Sequence, residues 1–214
     1  MNDFKFLKNI IENSFMSNNN LEFSKTGDGR LDSAESEPIV INHLQKIFQN
    51  TSVEIIIPPC ARHWYDVQIK YNNHFYPVNI KITNGNSADN VSSKLGLFYS
   101  LTGIKPETMT GLHTWQGYNK HLIDNINPIT DADYYFIVYF KIEEKFLFTS
   151  LKRIDTLVSN GNNLPFQCNW SVNITNTSRS AIEQCDYLME TYYQSWLKKV
   201  NGIEPLINWK EKKQ

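Results

Sequence analysis

The apolar positions of this chain change period several times, and each change marks an element. Phe4, Leu7, Ile11 and Phe15 recur three or four residues apart, which predicts an amphipathic helix over residues 3–16. Residues 16–29 are polar, with three asparagines in a row, and read as a loop. Ile41, Leu44 and Phe48 restore the helical period. They predict a second helix over 30–50, capped at Asp32-Ser33 or Ser36, with Pro38 confined to its first turn. From Val53 the period falls to two. A short strand over 53–57 stops at Pro58-Pro59, and Tyr65, Val67 and Ile69 then alternate with Asp66, Gln68 and Lys70 over 64–71. A turn at Asn72-Asn73 leads into a strand over 75–82, so residues 64–82 form a hairpin.

Further on, Ser87 or Asp89 caps a helix to about Leu101, with Val91, Leu95, Phe98 and Leu101 on one stripe. A helix over 107–126 follows, with Leu112, Trp115, Asn119 and Leu122 in register. Residues 131–141 (DADYYFIVYFK) are almost continuously apolar, as expected of a central strand buried on both faces. Glu143-Glu144 turns that strand into an antiparallel partner over 145–151, and residues 152–163 are helical or looped. A last strand covers 164–172. Ser180 and Glu183 then form a capping box for a long helix to Val200, with Ile182, Cys185, Met189, Tyr192 and Trp196 facing the core. The order predicts a mixed α+β fold of the α/β kind: a central mixed sheet flanked by helices. Residues 1–214 read as one domain, with 201–214 a C-terminal tail.

Composition adds bounds. At 41% hydrophobic and 20% charged, the chain is ordinary for a globular protein. No apolar run approaches the roughly 18 residues of a membrane span, and the N-terminus lacks a signal-peptide core, so no membrane partner and a cytoplasmic location are expected. Cys60, Cys168 and Cys185 are scattered and odd in number, which predicts reduced thiols. The net charge of −1 weighs mildly against a nucleic-acid partner, although only the local field matters to a phosphate.

The chemistry concentrates in the hairpin. Side chains alternate faces along a strand, so Asp66, Asn79 and Lys81 gather on one face. An acid, a second oxygen ligand and a lysine there suit a divalent cation and a water beside it. Glu37 lies four residues before Ile41, on the inward side of its helix, where a carboxylate serves equally as a further ligand or as a solvated first-turn acid. A competing register, Glu54 with Asp66 and Gln68, keeps two carboxylates but forfeits the lysine. Gln167 and Asn169 share a polar face of the last strand. Their amides suit hydrogen bonds to adenine in the major groove, and the same pattern belongs to a solvent-facing edge strand.

Asp66, twelve intervening residues, and then Asn79-Ile80-Lys81 resemble the PD-(D/E)xK nuclease motif, with Asn in the second acidic place. Gly29-Arg30-Leu31-Asp32-Ser33, the run from Ala88 to Lys94, and Leu101-Thr102-Gly103 are similar to type II restriction endonucleases. The resemblance covers residues 27–103 and implies a restriction-endonuclease-like fold. It also implies Mg²⁺ held by Asp66 and the Ile80 carbonyl, with Asn79 and Glu37 as further ligands and Lys81 orienting the water. Asn90 and Lys94, spaced i, i+4, would face DNA. The implied protein is a homodimer on double-stranded DNA, paired in the cell with a cognate DNA methyltransferase that is not a stable partner.

Overall fold

The computed structural model describes residues 3–16, 23, 29–60, 63–85, 88–91, 93–161, 165–201 and 210–211, with the backbone alone at 15–16 and 29–34. Two helices, α1 (Asp3–Met16) and α2 (Gly29–Phe48), precede three strands, β1 (Glu54–Ile56), β2 (Val67–Tyr71) and β3 (His74–Thr83). Next come β4 (Asp89–Val91), α3 (Lys94–Thr102) and α4 (Trp115–Asn125). The chain continues through β5 (Tyr135–Phe140), β6 (Lys145–Ser150), β7 (Val158–Ser159), β8 (Phe166–Cys168) and α5 (Ala181–Asn201). A five-stranded sheet has the order β1-β2-β3-β5-β6, and a three-stranded sheet has the order β4-β8-β7. The large sheet is mixed: β3 and β5 run parallel and its other pairs are antiparallel. It is the α+β architecture expected, a mixed sheet flanked by helices.

The β2–β3 hairpin turns on Asn72 and Asn73, whose φ values of 48° and 61° are both left-handed. A two-residue turn matching strand twist requires that conformation, and asparagine tolerates it better than most residues. The register then runs from Tyr71↔His74 to Val67↔Val78. On one face of the sheet Val67, Ile69, Val78, Ile80 and Ile137 pack on Leu7 of α1 and on Val40 and Leu44 of α2. On the other, Phe136, Val138 and Phe140 join α3, α4, α5 and the small sheet in a second core around Trp170 and Phe98. All six residues of β5 are buried between these layers.

Strand β6 is the far edge, and α1 covers it chemically as well as sterically. Phe148 N donates to Glu12 Oε1 at 2.8 Å, and Lys8 Nζ donates to Phe148 O at 3.2 Å. A carboxylate and an ammonium thus occupy the edge groups that a further strand would pair, which blocks edge-to-edge association.

The elements depart from expectation in several places. Helix α2 starts at Gly29, so neither Asp32-Ser33 nor Ser36 caps it, and Pro38 lies in its interior. The residues before that proline include Leu31, Ala34 and Glu35, all strong helix formers. Residues 89–91 form a strand rather than the start of a helix, and α3 begins only at Lys94, with Ser93 accepting from Gly96 N as its N-cap. The expected helix over 107–126 shortens to α4, capped by Thr114. The last strand contracts to three residues and lies in the middle of its sheet, not at an edge. The capping box of α5 forms as expected, Ser180 N donating to Glu183 Oε2 at 2.8 Å, yet Ile182 is exposed. Most of residues 201–214 lie outside the described residues. Among the described residues no helix is long and apolar enough to cross a membrane.

Gly96 of α3 packs against the ring of Tyr134, the residue before β5. A Cβ there would lie 2.9 Å from the ring of Tyr134, which is fully buried and donates its hydroxyl to Trp64 O at 2.6 Å. Overpacking costs about 1–3 kcal/mol against the ~1 kcal/mol that alanine gains over glycine in a helix. With the ring pinned at its far end, Gly96→Ala should lower the melting temperature, and a thermal melt checks it. An unchanged or higher value would mean that the ring yields.

Candidate active site

The pairing of β2 with β3 ends at Val67↔Val78. One residue further, Asp66 N donates to Val78 O at 2.9 Å, and its carboxylate Oδ2 accepts from Ile80 N at 2.7 Å. Asp66 therefore serves β3 as a ladder partner where β2 has stopped. The N–H and C=O of one residue in a strand face the same neighbour, so the Ile80 carbonyl opens toward that same gap. Asn79 and Lys81 alternate with Val78 and Ile80, whose side chains enter the α1–α2 core, and so they point to the opposite face. The expected grouping of Asp66, Asn79 and Lys81 is present.

Lys81 is the electrostatic focus. Burial pushes its pKa below the usual lysine value, and the carboxylates of Asp66, Asp89 and Glu37, in that order of strength, oppose the shift. Burial raises the Asp66 pKa, against the Ile80 N–H and Lys81, which favour the anion. Glu37 is pushed up to about 7, chiefly by burial, then by the Asp66 charge, with Lys81 acting the other way. The inward-facing reading of Glu37 is the one the structure carries, since its charge is coupled to both hairpin residues.

Asp89 is the member that sequence reasoning missed. It stands on β4 opposite Cys168 of β8, and burial raises its pKa against Thr83, Lys81 and Trp170. Although Thr83 and Trp170 lie near enough to favour its anion, its buried Oδ2 closes no hydrogen bond. The buried Oδ1 of Asn79 likewise has no partner, while the Tyr134 hydroxyl sits against the Asn79 and Ser93 side chains. Two orphaned oxygens beside a half-buried lysine are a costly arrangement unless a cation or water completes them.

The oxygens available to a cation are Asp66, Asn79 Oδ1, the Ile80 carbonyl, Asp89 Oδ2 and Glu37, an all-oxygen set that fits Mg²⁺. Among the described residues no three His, Cys, Asp or Glu side chains converge as a metal cluster. The carboxylates ring Lys81 rather than share one point, so amide and main-chain oxygens are needed to complete a shell.

Other sequence candidates lie apart. Glu54 pairs with Lys70 Nζ at 3.0 Å, directly opposite it in the register. Lys70 is four residues along the hairpin from Asp66, roughly 13 Å at strand spacing, so the Glu54–Asp66–Gln68 register is not assembled. Asn90 and Lys94 do not share a helix face. Asn90 sits on β4, its Oδ1 accepting from Asn160 Nδ2 at 2.8 Å and facing Gln167 Nε2 at 3.5 Å. Lys94 Nζ donates to His113 O at 3.0 Å and lies over the Trp115 ring. Gln167 and Asn90 form an outward amide pair across β4 and β8, whereas Asn169 Oδ1 is engaged by Ser171 N and Oγ. Of the cysteines, Cys60 is exposed and Cys168 and Cys185 are buried, all as free thiols.

Compared with protein-family models and with curated protein sequences, the chain matches none.

The raised Glu37 pKa carries a sign. Folded Glu37 keeps its proton up to about pH 7, whereas the unfolded residue releases it near its ordinary 4.5. Between those values the folded state binds more protons, so this stabilisation is present at low pH and is lost as pH rises through 7. Metal-free protein should therefore lose thermal stability from about pH 5 to about pH 8, and Glu37→Gln should flatten that slope. Parallel melting curves for the two proteins decide it, and identical slopes would place Glu37 in solvent.

Proposed function

We propose that this protein is a Mg²⁺-dependent endonuclease that hydrolyses phosphodiester bonds of double-stranded DNA, a type II restriction endonuclease of the PD-(D/E)xK kind. One observation carries the reading: a half-buried lysine on the strand face of Asp66 and Asn79, with three carboxylates acting on it, where β2 pairing stops. The mixed sheet flanked by helices is compatible with the fold that the motif resemblance implies. When bound, Mg²⁺ neutralises charge on the scissile phosphate and acidifies the attacking water. Asp66, the Ile80 carbonyl, Asn79 and Asp89 are the residues to hold it, with Glu37 supplying charge as it ionises. Lys81 donates to the water or to the phosphoryl oxygen, where its positive charge opposes the negative charge that develops on the way to products. On this reading the protein works as a cytoplasmic homodimer, its two-fold axis matching that of a palindromic site.

A second reading, a DNA-binding protein of this fold that does not cleave, is favoured by the neutral Asn79 in an acidic place. A repair nickase is a lesser enzymatic variant. Incubation with supercoiled plasmid and millimolar Mg²⁺ separates them. Discrete fragments identify restriction, nicked circles a nickase, and a gel shift without cuts the binder, while no binding at all overturns the proposal.

Asp66→Ala and Lys81→Ala should each reduce cleavage by about 10²–10³-fold or more while DNA binding persists. Full activity in either variant would remove the hairpin from the reaction. Asn79→Asp, nearly isosteric, should lower the Mg²⁺ concentration for half-maximal cleavage, and Glu37→Gln should raise it. A Mg²⁺ titration indifferent to both would take Asn79 and Glu37 out of the metal shell.

A further inference from the structure

A cavity of about 590 Å³ lies beside the candidate active site, walled by His63, Trp64, Lys94, Leu95, Glu107 and Met109 among others. That is within the range of small-ligand sites, about 300–1,000 Å³. Its walls are mainly apolar, and one of them, Trp64, stands two residues before Asp66. That wall is rigid. Trp64 O accepts from Tyr134 Oη at 2.6 Å and from Ser93 Oγ at 3.4 Å, and its ring is packed by Tyr65, Phe75, Tyr99 and Tyr134.

The polar groups are few and oriented. Trp64 Nε1 donates to Glu107 Oε1 at 2.9 Å, and His63 Nε2 lies 3.4 Å from the same oxygen. Both contacts fall on Oε1, which leaves Oε2 as an acceptor at the mouth of the cavity, on a side chain that is 44% exposed. A carboxylate there favours a planar ligand with an amino group on its edge over one, such as thymine, whose edge N–H lies between two carbonyls that the carboxylate repels. Lys94 adds an ammonium to the cavity wall, donating to His113 O and keeping further N–H donors for a flanking phosphate.

We infer that this cavity receives a nucleobase swung out of the duplex next to the scissile phosphate, and that Glu107 reads its exocyclic amino group. The inference rests on the nuclease reading for its substrate. Unstacking one base costs a few kcal/mol, and an apolar-walled cavity with one edge acceptor offsets that cost while discriminating among bases. Adenine, cytosine and guanine carry the amino group and thymine does not. Glu107 is then a specificity residue rather than a catalytic one.

The cavity can be tested apart from cleavage. The full chain labelled with ¹⁵N-tryptophan is titrated with adenosine, cytidine, guanosine and thymidine, and the Trp64 indole N–H resonance is followed. The amino-bearing nucleosides should shift that resonance strongly, and thymidine, whose edge N–H is flanked by carbonyls, more weakly. Glu107→Gln keeps a carbonyl acceptor for Trp64 and should weaken the response about tenfold. Met109→Trp, which fills the cavity, should abolish it. A Trp64 signal silent to every nucleoside, or equal responses to all four with no effect of Glu107→Gln, overturns the inference. In duplex DNA that the protein cuts, 2-aminopurine scanned around the cut position should brighten at one place on binding. Cleavage without brightening at any position sinks the flipped base and leaves the nuclease standing. Absence of DNA binding and cleavage sinks the nuclease reading, and with it the flipped base.

Discussion

A protonated lysine half-withdrawn from water on a central strand is costly unless anions replace the hydration it has lost. Lys81 sets that condition, and distant parts of the chain meet it. Asp66 comes from the residue before β2, Glu37 from α2 on the other layer, and Asp89 from β4 in the second sheet. Each carboxylate is itself raised by burial, so each needs the ammonium as much as the ammonium needs it. The cluster therefore couples the large sheet, the small sheet and the helical layer. Removing Lys81 alone would leave three partly buried acids facing one another.

The Asp66 carboxylate has a structural duty inside that cluster. By accepting from Ile80 N it ends the β2–β3 ladder without leaving a bare donor, and it fixes which residues of β3 stand at the opening. A one-residue slip would turn Asn79 and Lys81 into the α1–α2 core and send Ile80 to the polar face. The left-handed Asn72-Asn73 turn and the Asp66–Ile80 bond pin the register from opposite ends of the hairpin. Geometry suited to chemistry and geometry suited to folding coincide here.

What the sequence disclosed follows from how local each signal is. The hairpin was legible because period-two alternation and an Asn-Asn turn lie within twenty residues of each other. The apolar run of β5 and the capping box of α5 are similarly self-contained. Strand β4 was not legible. Val91 and Leu95 stand four residues apart, so they extend the stripe of α3 backwards, and a three-residue strand is too short to show alternation. Asp89 was hidden with it, because its place beside Lys81 depends on pairing with β8, some eighty residues away. In α5 the buried face was misjudged for a different reason. Thr191 and Ser195 are buried with their hydroxyls satisfied, Thr191 Oγ1 by Tyr187 O and Ser195 Oγ by Thr191 O and Pro165 O. A hydrophobic period assigns such residues outward and draws Ile182, which is exposed, inward in their place.

Asp89 also bears on why an amide can stand at position 79. With Asp66, Asp89 and Glu37 ionised and Lys81 protonated, the formal charge of the cluster is −3 + 1 = −2, and −1 while Glu37 holds its proton. An acid at 79 would add another negative charge to a site whose carboxylates are already raised by burial. On the proposed reading, the acid absent from β3 has been supplied from β4, across the sheet junction, and Asn79 keeps only the oxygen. Glu37, poised at about 7, is the adjustable member. A divalent cation favours its ionised form and brings the cluster to the −2 that balances the ion, and without the cation the proton on Glu37 relieves the repulsion. The substitution at 79 thus reads as a redistribution of charge between strands, in which the number of ligating oxygens is kept and the burden of neutralising Lys81 passes to residues the motif does not include.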